Sequence, residues 1–214
     1  MKFYPEILNV QQQSLLTKLG FLTQKGFYLA GETALALQLG HRTSLDFDFY
    51  INEEFKWEEL KTQFEVVGGK ETIIDTGTFH GVINQVSVSG FYYPYPLVGE
   101  LVDFETLKLA GVEDIAAMKV IAVIQRARQR DFLDLYYLIK VLGLERIVQL
   151  VYEKYPWYKE NNKIIFTALT YFEEAENDDD LSRVNILDKS VTWEKVKVFL
   201  KGEIARLARE KLAL

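Results

Sequence analysis

With 214 residues, of which 49% are hydrophobic and 14% aromatic, the chain can bury a sizeable core, which excludes a wholly disordered protein. It contains no cysteine, signal-peptide layout or apolar run of the roughly 18 residues that span a bilayer, so we predict a cytoplasmic protein without disulfides, thiolate metal sites or a membrane partner. The net charge of −6 argues against a protein that binds long stretches of nucleic acid, although a nucleotide or an RNA end needs only a small basic site.

The chain begins with a predicted helix, strand and second helix. Apolar residues at helical spacing predict the first helix over residues 7–23, and Phe27–Ala30 predict a short strand that stops at Gly31. The second helix follows and ends at Gly40. Its start offers backbone N–H donors and the positive end of a helix dipole, both of which suit a phosphate, and Thr33 adds a hydroxyl beside them.

The next predicted strand carries two acids on one face. Leu45, Phe47 and Phe49 alternate with Asp46, Asp48 and Tyr50. Asp46 and Asp48 should therefore lie about 6.5 to 7 Å apart and point into the same space. Because like charges this close repel, a hard cation such as Mg²⁺ or Mn²⁺ is expected between them, although an acid pair can also mark a solvated strand face.

The following segment is predicted to complete a small sheet. Its elements are a helix at Trp57–Phe64, a hairpin of Val66–Val67 with Thr72–Thr76 turning at Gly68–Gly69, an alternating strand within Gly81–Gly90, a loop or edge at Phe91–Pro96, and short strands at 101–104 and 107–110. The alternating strand offers no acid, and Asp75, Asp103 and Glu105 are the nearby candidates for a third carboxylate.

From Glu113 onward the pattern is helical. Lys119 and Arg126 lie two turns apart on one helix stripe, and Arg130 lies one turn further if the helix continues. Such a stripe suits the phosphates of a nucleotide, although surface cations that only solvate a helix have the same spacing. A break between helices is predicted at Arg130–Asp131, and Asp134 on the next helix could orient Arg126 or Arg130; further helices are predicted at 144–155, 163–176 and 192–212.

Two motifs resemble one family. Leu29–Leu37 (LAGETALAL) and Gly40–Phe49 (GHRTSLDFDF) resemble the AbiEii/AbiGii-type toxin nucleotidyltransferases, and Lys119–Arg126 followed by Arg130-Asp131 and Asp134-Leu135 resembles the second signature of that family. Glu32 departs from the pattern, because the family usually has Gly or Ser there. A carboxylate at that position either turns outward, joins a metal site or weakens the phosphate site.

The resemblance implies an α+β fold, with a nucleotidyltransferase-like core of a small mixed sheet flanked by helices in residues 1–112 and a helical portion in 113–214 that completes the active-site cleft. It implies transfer of a nucleoside monophosphate from a nucleoside triphosphate to an acceptor hydroxyl. The expected roles are metal binding for Asp46 and Asp48, phosphate binding for Gly31, Thr33, Arg42, Arg126 and Arg130, charge stabilisation for Lys119, and orientation for Asp131 and Asp134.

The acceptor and partners stay open at this point. The resemblance implies the toxin of a toxin–antitoxin or phage-defence pair, with a cognate antitoxin as partner and a tRNA end as one candidate acceptor. A protein hydroxyl is a second candidate acceptor. A degenerate module that binds a nucleotide or a partner without turnover is the third reading, favoured by Glu32 and by the absent third acid.

Overall fold

The computed structural model describes residues 2–176 and 180–212 and divides into two compact units, Met1–Gly111 and Val112–Leu214. The first unit combines a mixed sheet with short helices, and the second is helical. This confirms the predicted α+β class. No helix within the described ranges is long and apolar enough to cross a bilayer.

The sheet of the first unit has seven strands in the order β3-β4-β5-β2-β1-β7-β6. The strands are β1 (Tyr28–Ala30), β2 (Phe47–Ile51), β3 (Gly69–Asp75), β4 (Thr78–Ile83), β5 (Val86–Tyr92), β6 (Val102–Phe104) and β7 (Leu107–Leu109). β2 pairs in parallel with β5, and β1 pairs in parallel with β7, whereas the other neighbours are antiparallel.

The helices of the first unit are short. They are a 3₁₀ turn (Pro5–Ile7), α1 (Val10–Gln13), α2 (Gly20–Gln24), α3 (Gly31–Leu39) and α4 (Glu58–Val66). The single helix predicted over 7–23 was therefore wrong. Leu15, Leu19 and Leu22 are all fully buried, and Gly20 lies so close to Thr106 that a Cβ on it would be 2.9 Å from the threonine side chain. Separate turns place these residues in the core more closely than one straight helix face would.

Strand β2 shows the predicted alternation from Phe47 onward. Phe47 and Phe49 are fully buried, whereas Asp48 and Tyr50 on the opposite face are half-buried. Elsewhere in this unit, ring contacts link Phe27, Phe55, Trp57, Phe64 and Phe79, of which all but Phe55 are buried. Leu45 differs from the prediction, because the strand starts only at Phe47 and Leu45 is 43% exposed.

One predicted turn and one predicted strand of this sheet differ in the structure. Val66 ends α4, so the first hairpin joins β3 to β4 through Gly77, which has φ +68°, instead of turning at Gly68–Gly69. The strand predicted within Gly81–Gly90 is in fact two strands, β4 and β5, which join at Asn84 and Gln85 with φ values of 48° and 65°. Phe91 and Tyr92, predicted as loop or edge, complete β5.

The second unit consists of helices around its own core. They are α5 (Val112–Arg126), α6 (Gln129–Leu142), α7 (Leu144–Lys154), α8 (Trp157–Glu160), α9 (Asn162–Ala168), α10 (Glu173–Glu176), a 3₁₀ turn (Asp180–Arg183) and α11 (Trp193–Leu212). The helix predicted over 163–176 is thus divided into α9 and α10. The break between α5 and α6 lies at Ala127, which has φ +38°, and not at Arg130–Asp131.

Candidate active site

The turn from β1 into α3 brings Gly31 against Asp48. Ala30 pairs with Asp48 across the antiparallel β1–β2 ladder, so the next residue, Gly31, starts α3 directly beside the carboxylate. A Cβ built on Gly31 would lie 3.5 Å from Asp48 Oδ2, and the glycine has φ +64°. The backbone conformation favours glycine, and the absent side chain leaves open space beside the carboxylate. The structure therefore brings these two predicted site residues together.

Asp46 and Asp48 differ in their surroundings. Asp48 is half-buried within β2, whereas Asp46 is exposed and precedes the strand. Thr33, which is 1% exposed, holds the segment that leads into β2. Its hydroxyl donates to the Asp46 carbonyl oxygen and lies 2.8 Å from Ser44 Oγ. The Thr33 side chain thus holds the segment that carries Asp46. A phosphate contact from residue 33, if one forms, would come from the backbone N–H.

Glu32 forms an ion pair that the sequence did not indicate. Its Oε2 lies 3.1 Å from Nη2 of Arg42, whose side chain is fully buried and also donates from Nη1 to the Thr43 carbonyl oxygen at 3.0 Å. Glu32 therefore neither turns outward nor stands as an uncompensated charge beside the phosphate site. The prediction that Arg42 binds phosphate is corrected accordingly, because a buried guanidinium paired with Glu32 is not presented to a ligand.

Ser89 occupies the position next to Asp48 where a third acid was sought. It pairs with Asp48 in the parallel β2–β5 ladder, and it pairs with His80 in the β4–β5 ladder. Its hydroxyl lies 2.9 Å from Nδ1 of His80. In the described part of the chain, no group of three or more His, Cys, Asp or Glu side chains could hold a metal ion. Sequence reasoning missed this serine–histidine pair because the β4–β5 turn was not recognised.

The carboxylate of Asp48 fits a hard divalent cation that is also bound by the phosphate oxygens of a substrate. Carboxylate oxygens are preferred by Mg²⁺, which binds through one or two carboxylates together with substrate phosphates. Gly31 has no Cβ, which leaves space beside Asp48 Oδ2. A phosphate would approach the start of α3 through this space. If only two carboxylates bound the cation and no substrate were present, water molecules would supply most of its ligands.

In the second unit, the predicted residues Lys119, Arg126, Asp131 and Asp134 form one charged cluster. Nζ of Lys119 lies 2.7 Å from Oδ1 of Asp131 and 2.7 Å from Oδ2 of Asp134, and the lysine side chain is only 4% exposed. Arg126 contacts Asp131 through two nitrogens, Nε at 3.0 Å and Nη2 at 3.2 Å. The predicted stripe on α5 is therefore a buried charge cluster, in which Asp131 and Asp134 orient the two cations. Asp134, which was predicted to orient Arg126 or Arg130, forms an ion pair with Lys119.

Arg126 is the exposed member of this cluster. Its side chain is 46% exposed, whereas those of Asp131 and Asp134 are fully buried. Arg130 lies in the first turn of α6, so it is not a continuation of the α5 stripe. Burial by itself raises the pKa of Asp131, but the charges of Lys119 and Arg126 outweigh burial and hold that pKa below its ordinary value. The Asp131 carboxylate is consequently ionised at neutral pH and keeps both cations in place.

A second buried ion pair lies elsewhere in this unit. Nζ of Lys154 on α7 is 2.8 Å from Oδ1 of Asp114 on α5, and both side chains are fully buried. The sequence alone presents Asp114 only as an acid that favours a helix start. The partner lies 40 residues away, so no local sequence pattern could have revealed the pair.

Comparisons with known proteins identify a family and similar chains. The family model for the nucleotidyl transferase AbiEii toxin of type IV toxin–antitoxin systems matches residues 96–190, which include Lys119, Arg126, Asp131 and Asp134. A protein of Aquifex aeolicus, the uncharacterised aq_aa25, is 32% identical over 191 residues, covering 83% of this chain and 86% of that protein.

Two solved structures show the same fold. MenT4, a nucleotidyltransferase toxin from Mycobacterium tuberculosis, matches with a TM-score of 0.64 and 16% identity, over 93% of this chain and 83% of that one. JHP933 from Helicobacter pylori matches with a TM-score of 0.59 and 17% identity, over 99% of this chain and 97% of that one. The match to the family model identifies residues 96–190 of this chain as an AbiEii-type nucleotidyltransferase toxin domain, which is a domain of transferase enzymes.

Proposed function

We propose that this protein transfers a nucleoside monophosphate from a nucleoside triphosphate to the terminal hydroxyl of an RNA, with release of pyrophosphate. The observation that supports this most directly is the Asp48 carboxylate beside Gly31, because it joins a metal-binding group to the N-terminus of a nine-residue helix. The family supports the reaction class. The RNA acceptor, with a tRNA end as first candidate, is our narrower proposal.

In the first unit, the start of α3 would bind the β- and γ-phosphates. The backbone N–H groups of its first turn have no partners within the helix and point toward an approaching anion. Asp46 and Asp48 would hold Mg²⁺ or Mn²⁺, which would neutralise phosphate charge. Thr33 positions Asp46 through its carbonyl, and the Glu32–Arg42 pair keeps the Glu32 charge from repelling the triphosphate.

In the second unit, Arg126 is the first residue that we propose for phosphate binding. It is the exposed cation of the cluster, and the two contacts to Asp131 fix the plane of its guanidinium. Lys119, Asp131 and Asp134 would act as positioning residues, since their side chains are buried. Arg130 is the second arginine that we propose for phosphate binding. As a member of a toxin family, the protein is also proposed to act against its own cell until a cognate antitoxin counteracts it.

Incubation with each of the four α-³²P-labelled nucleoside triphosphates, Mg²⁺ and total RNA tests the proposal. We expect label on RNA with at least one nucleotide, and a loss of about 100-fold or more in the Asp48→Asn variant because a metal ligand is removed. Asp103→Asn is the matched control. Asp103 was a sequence candidate for a third carboxylate, but it lies on the edge strand β6, three strands from β2, is 77% exposed and pairs with Lys108 on the surface. This variant should label RNA at the wild-type rate.

The fate of the label separates the alternatives. Label retained by protein and absent from RNA would support a protein-modifying enzyme. Binding of nucleotide and Mg²⁺ in a calorimeter without transfer to any acceptor would support the non-enzymatic module. Equal labelling by wild type and Asp48→Asn would contradict the proposed site.

A further inference from the structure

Four aromatic side chains form a continuous row on the first unit. Tyr50 lies 5.3 Å from Phe91 and 5.4 Å from Tyr93, measured between ring centroids, and Tyr93 lies 4.9 Å from Tyr95. We call Tyr50, Phe91, Tyr93 and Tyr95 the aromatic strip. Tyr28 lies beside the strip on the neighbouring strand β1, where its buried ring stacks on Tyr50 with centroids 6.3 Å apart.

The strip shares a sheet face with Asp48. Tyr50 follows Asp48 by two residues on β2, and side chains two residues apart on a strand point to the same side. The ladder gives the same result, because Asp48 pairs with Ser89 and Tyr50 pairs with Phe91 two positions further along. The acid and the nearest ring of the strip are therefore about 7 Å apart along the strand.

The rings of the strip are accessible, unlike the aromatic residues of the core. Tyr50, Phe91 and Tyr93 are half-buried, and Tyr95 is 41% exposed. On the opposite face of the same strands, Phe47, Phe49 and Phe79 are fully buried. A single exposed aromatic residue needs no explanation, but a contiguous row of partly exposed rings beside an acid indicates a binding surface.

The backbone holds the strip in a defined conformation. The N–H of Tyr93 donates to the carbonyl of Ile51 at 2.7 Å, which extends the pairing beyond β5, and the N–H of Tyr95 donates to the carbonyl of Tyr93 at 2.8 Å. Pro94 and Pro96 restrict φ on either side of Tyr95. A ligand that stacks on these rings would therefore lose little affinity to ordering them.

The order of groups along the sheet indicates which reactant the strip binds. Asp48 lies between the Tyr50 position and the start of α3, since it pairs with Ala30 while Tyr50 pairs with Tyr28. In phosphoryl transfer, the attacking and leaving oxygens lie roughly in line on opposite sides of phosphorus. If the leaving pyrophosphate is at the start of α3, the acceptor approaches from the side of the strip.

We propose that the aromatic strip stacks the unpaired bases at the 3′ end of an RNA acceptor, which rests on the function proposed above. Aromatic rings bind bases of any sequence through stacking, as in many single-strand binding proteins. Recognition through bases also suits a chain whose net charge is −6, because it needs few contacts to the phosphate backbone. The bond that forms joins the terminal hydroxyl oxygen to the α-phosphorus, the bond to the pyrophosphate oxygen breaks, and the hydroxyl proton passes to water.

Fluorescence anisotropy with a 5′-fluorescein-labelled hexa-adenylate RNA, without nucleoside triphosphate, tests the strip. We expect Tyr50→Leu, Tyr93→Leu and Tyr95→Leu each to weaken binding by between about fivefold and 100-fold, which is the usual effect of removing one stacking ring. Tyr50→Phe keeps the ring and should bind as the wild type does. Tyr92→Leu is the matched control, since Tyr92 alternates with Phe91 and Tyr93 on the same strand and pairs with Ile51 of the core face. Circular dichroism of each variant confirms the fold, and Tyr95, the most exposed of the four, can be changed with the least disturbance of the core.

Three results would overturn the proposal. They are undetectable binding of the oligomer by the wild type, unchanged affinity in all three leucine variants, and equal affinity for the same strand annealed to its complement. These results are independent of turnover. If the protein transfers nucleotides but the leucine variants bind the oligomer as the wild type does, the proposed function stands and this inference is wrong. If the strip is needed for binding but no Asp48-dependent transfer occurs, the inference stands and the proposed function is wrong.

Discussion

Glycine at position 31 has two effects that a side chain would remove. Its φ of +64° strains any other residue by about 1–2 kcal/mol, and a methyl group would approach Asp48 Oδ2 to 3.5 Å. The second effect bears on function, because the methyl group would occupy the space proposed for a phosphate. Gly31 therefore contributes both to the stability of the β1–α3 turn and to the shape of the site.

The variant Gly31→Ala separates these contributions when it is compared with Gly68→Ala. Gly68 has φ +90°, and a methyl group on it would have no atom within 4 Å, so this position carries the backbone strain alone. We expect urea denaturation to show a similar loss of about 1–2 kcal/mol for both variants. Nucleotide transfer should fall only in Gly31→Ala. Equal activity of the two variants would mean that the space beside Asp48 is not used.

Asp131 makes the stability of the protein depend on pH in a defined direction. Its pKa in the folded state is below its ordinary value, because the charges of Lys119 and Arg126 outweigh the effect of burial. The stabilisation is present above the unfolded pKa of about 3.9 and is lost as the pH falls through that value toward the folded pKa. Between about pH 5 and pH 3, we therefore expect wild type to lose more of its free energy of unfolding than Asp131→Asn.

Urea denaturation of both proteins at a series of pH values measures this difference. The Asp131→Asn variant is expected to be less stable at neutral pH, because Lys119 then keeps only Asp134 as its carboxylate partner in this cluster. The test is the pH dependence and not the starting value. Parallel curves for the two proteins would contradict a lowered pKa at Asp131.

Among the elements, the β4–β5 hairpin has a turn that its sequence does not favour. Asn84 and Gln85 both have positive φ, and the preferred second residue of such a two-residue turn is glycine. Gln85→Gly should therefore raise the free energy of unfolding by up to about 1 kcal/mol. Gln63→Gly in the exposed part of α4 is the contrasting control and should lower it by about 1 kcal/mol. Thermal unfolding of both variants measures the two shifts, and destabilisation by Gln85→Gly would contradict the turn.

The same hairpin shows what the sequence could and could not predict. The alternation of Phe47–Tyr50 and the stop at Gly31 are local patterns, so β2, the start of α3 and the Gly31–Asp48 site could be predicted. The β4–β5 turn contains no glycine, so the sequence of the two strands has the alternating pattern of a single strand. The partner of Asp48 on β5 was consequently missed.

The charged residues show the same limit at longer range. Arg42 was predicted to bind phosphate and Lys119 to stabilise charge on the substrate, because sequence shows charge but not burial. Each has an acidic partner that folding brings close. Arg42 pairs with Glu32 at the start of α3, and Lys119 pairs with Asp131 of α6, beyond the break that ends α5. Periodicity places a charged residue on a helix or strand, but it does not show which partner the side chain meets in the folded protein.

For the whole molecule, the net charge of −6 limits how RNA can be bound. Each phosphate contact to a single strand contributes about −0.7 to the slope of log affinity against log salt concentration. Stacking on the aromatic strip with one or two phosphate contacts predicts a slope of about −0.7 to −1.4 for hexa-adenylate. Anisotropy titrations from low to moderate salt measure it. A slope several times steeper would indicate an extended basic surface and contradict recognition through bases.

The buried pair of Asp114 and Lys154 has a consequence for chemical labelling. An amine with no exposure and an anionic partner at 2.8 Å can react with an acylating reagent only after α5 and α7 separate. Lys154 should thus stay unacylated while exposed amines such as that of Lys61, whose side chain is 45% exposed, are already modified. Mass spectrometry of protein treated with an N-hydroxysuccinimide ester would then use Lys154 as an internal reporter of opening in the second unit.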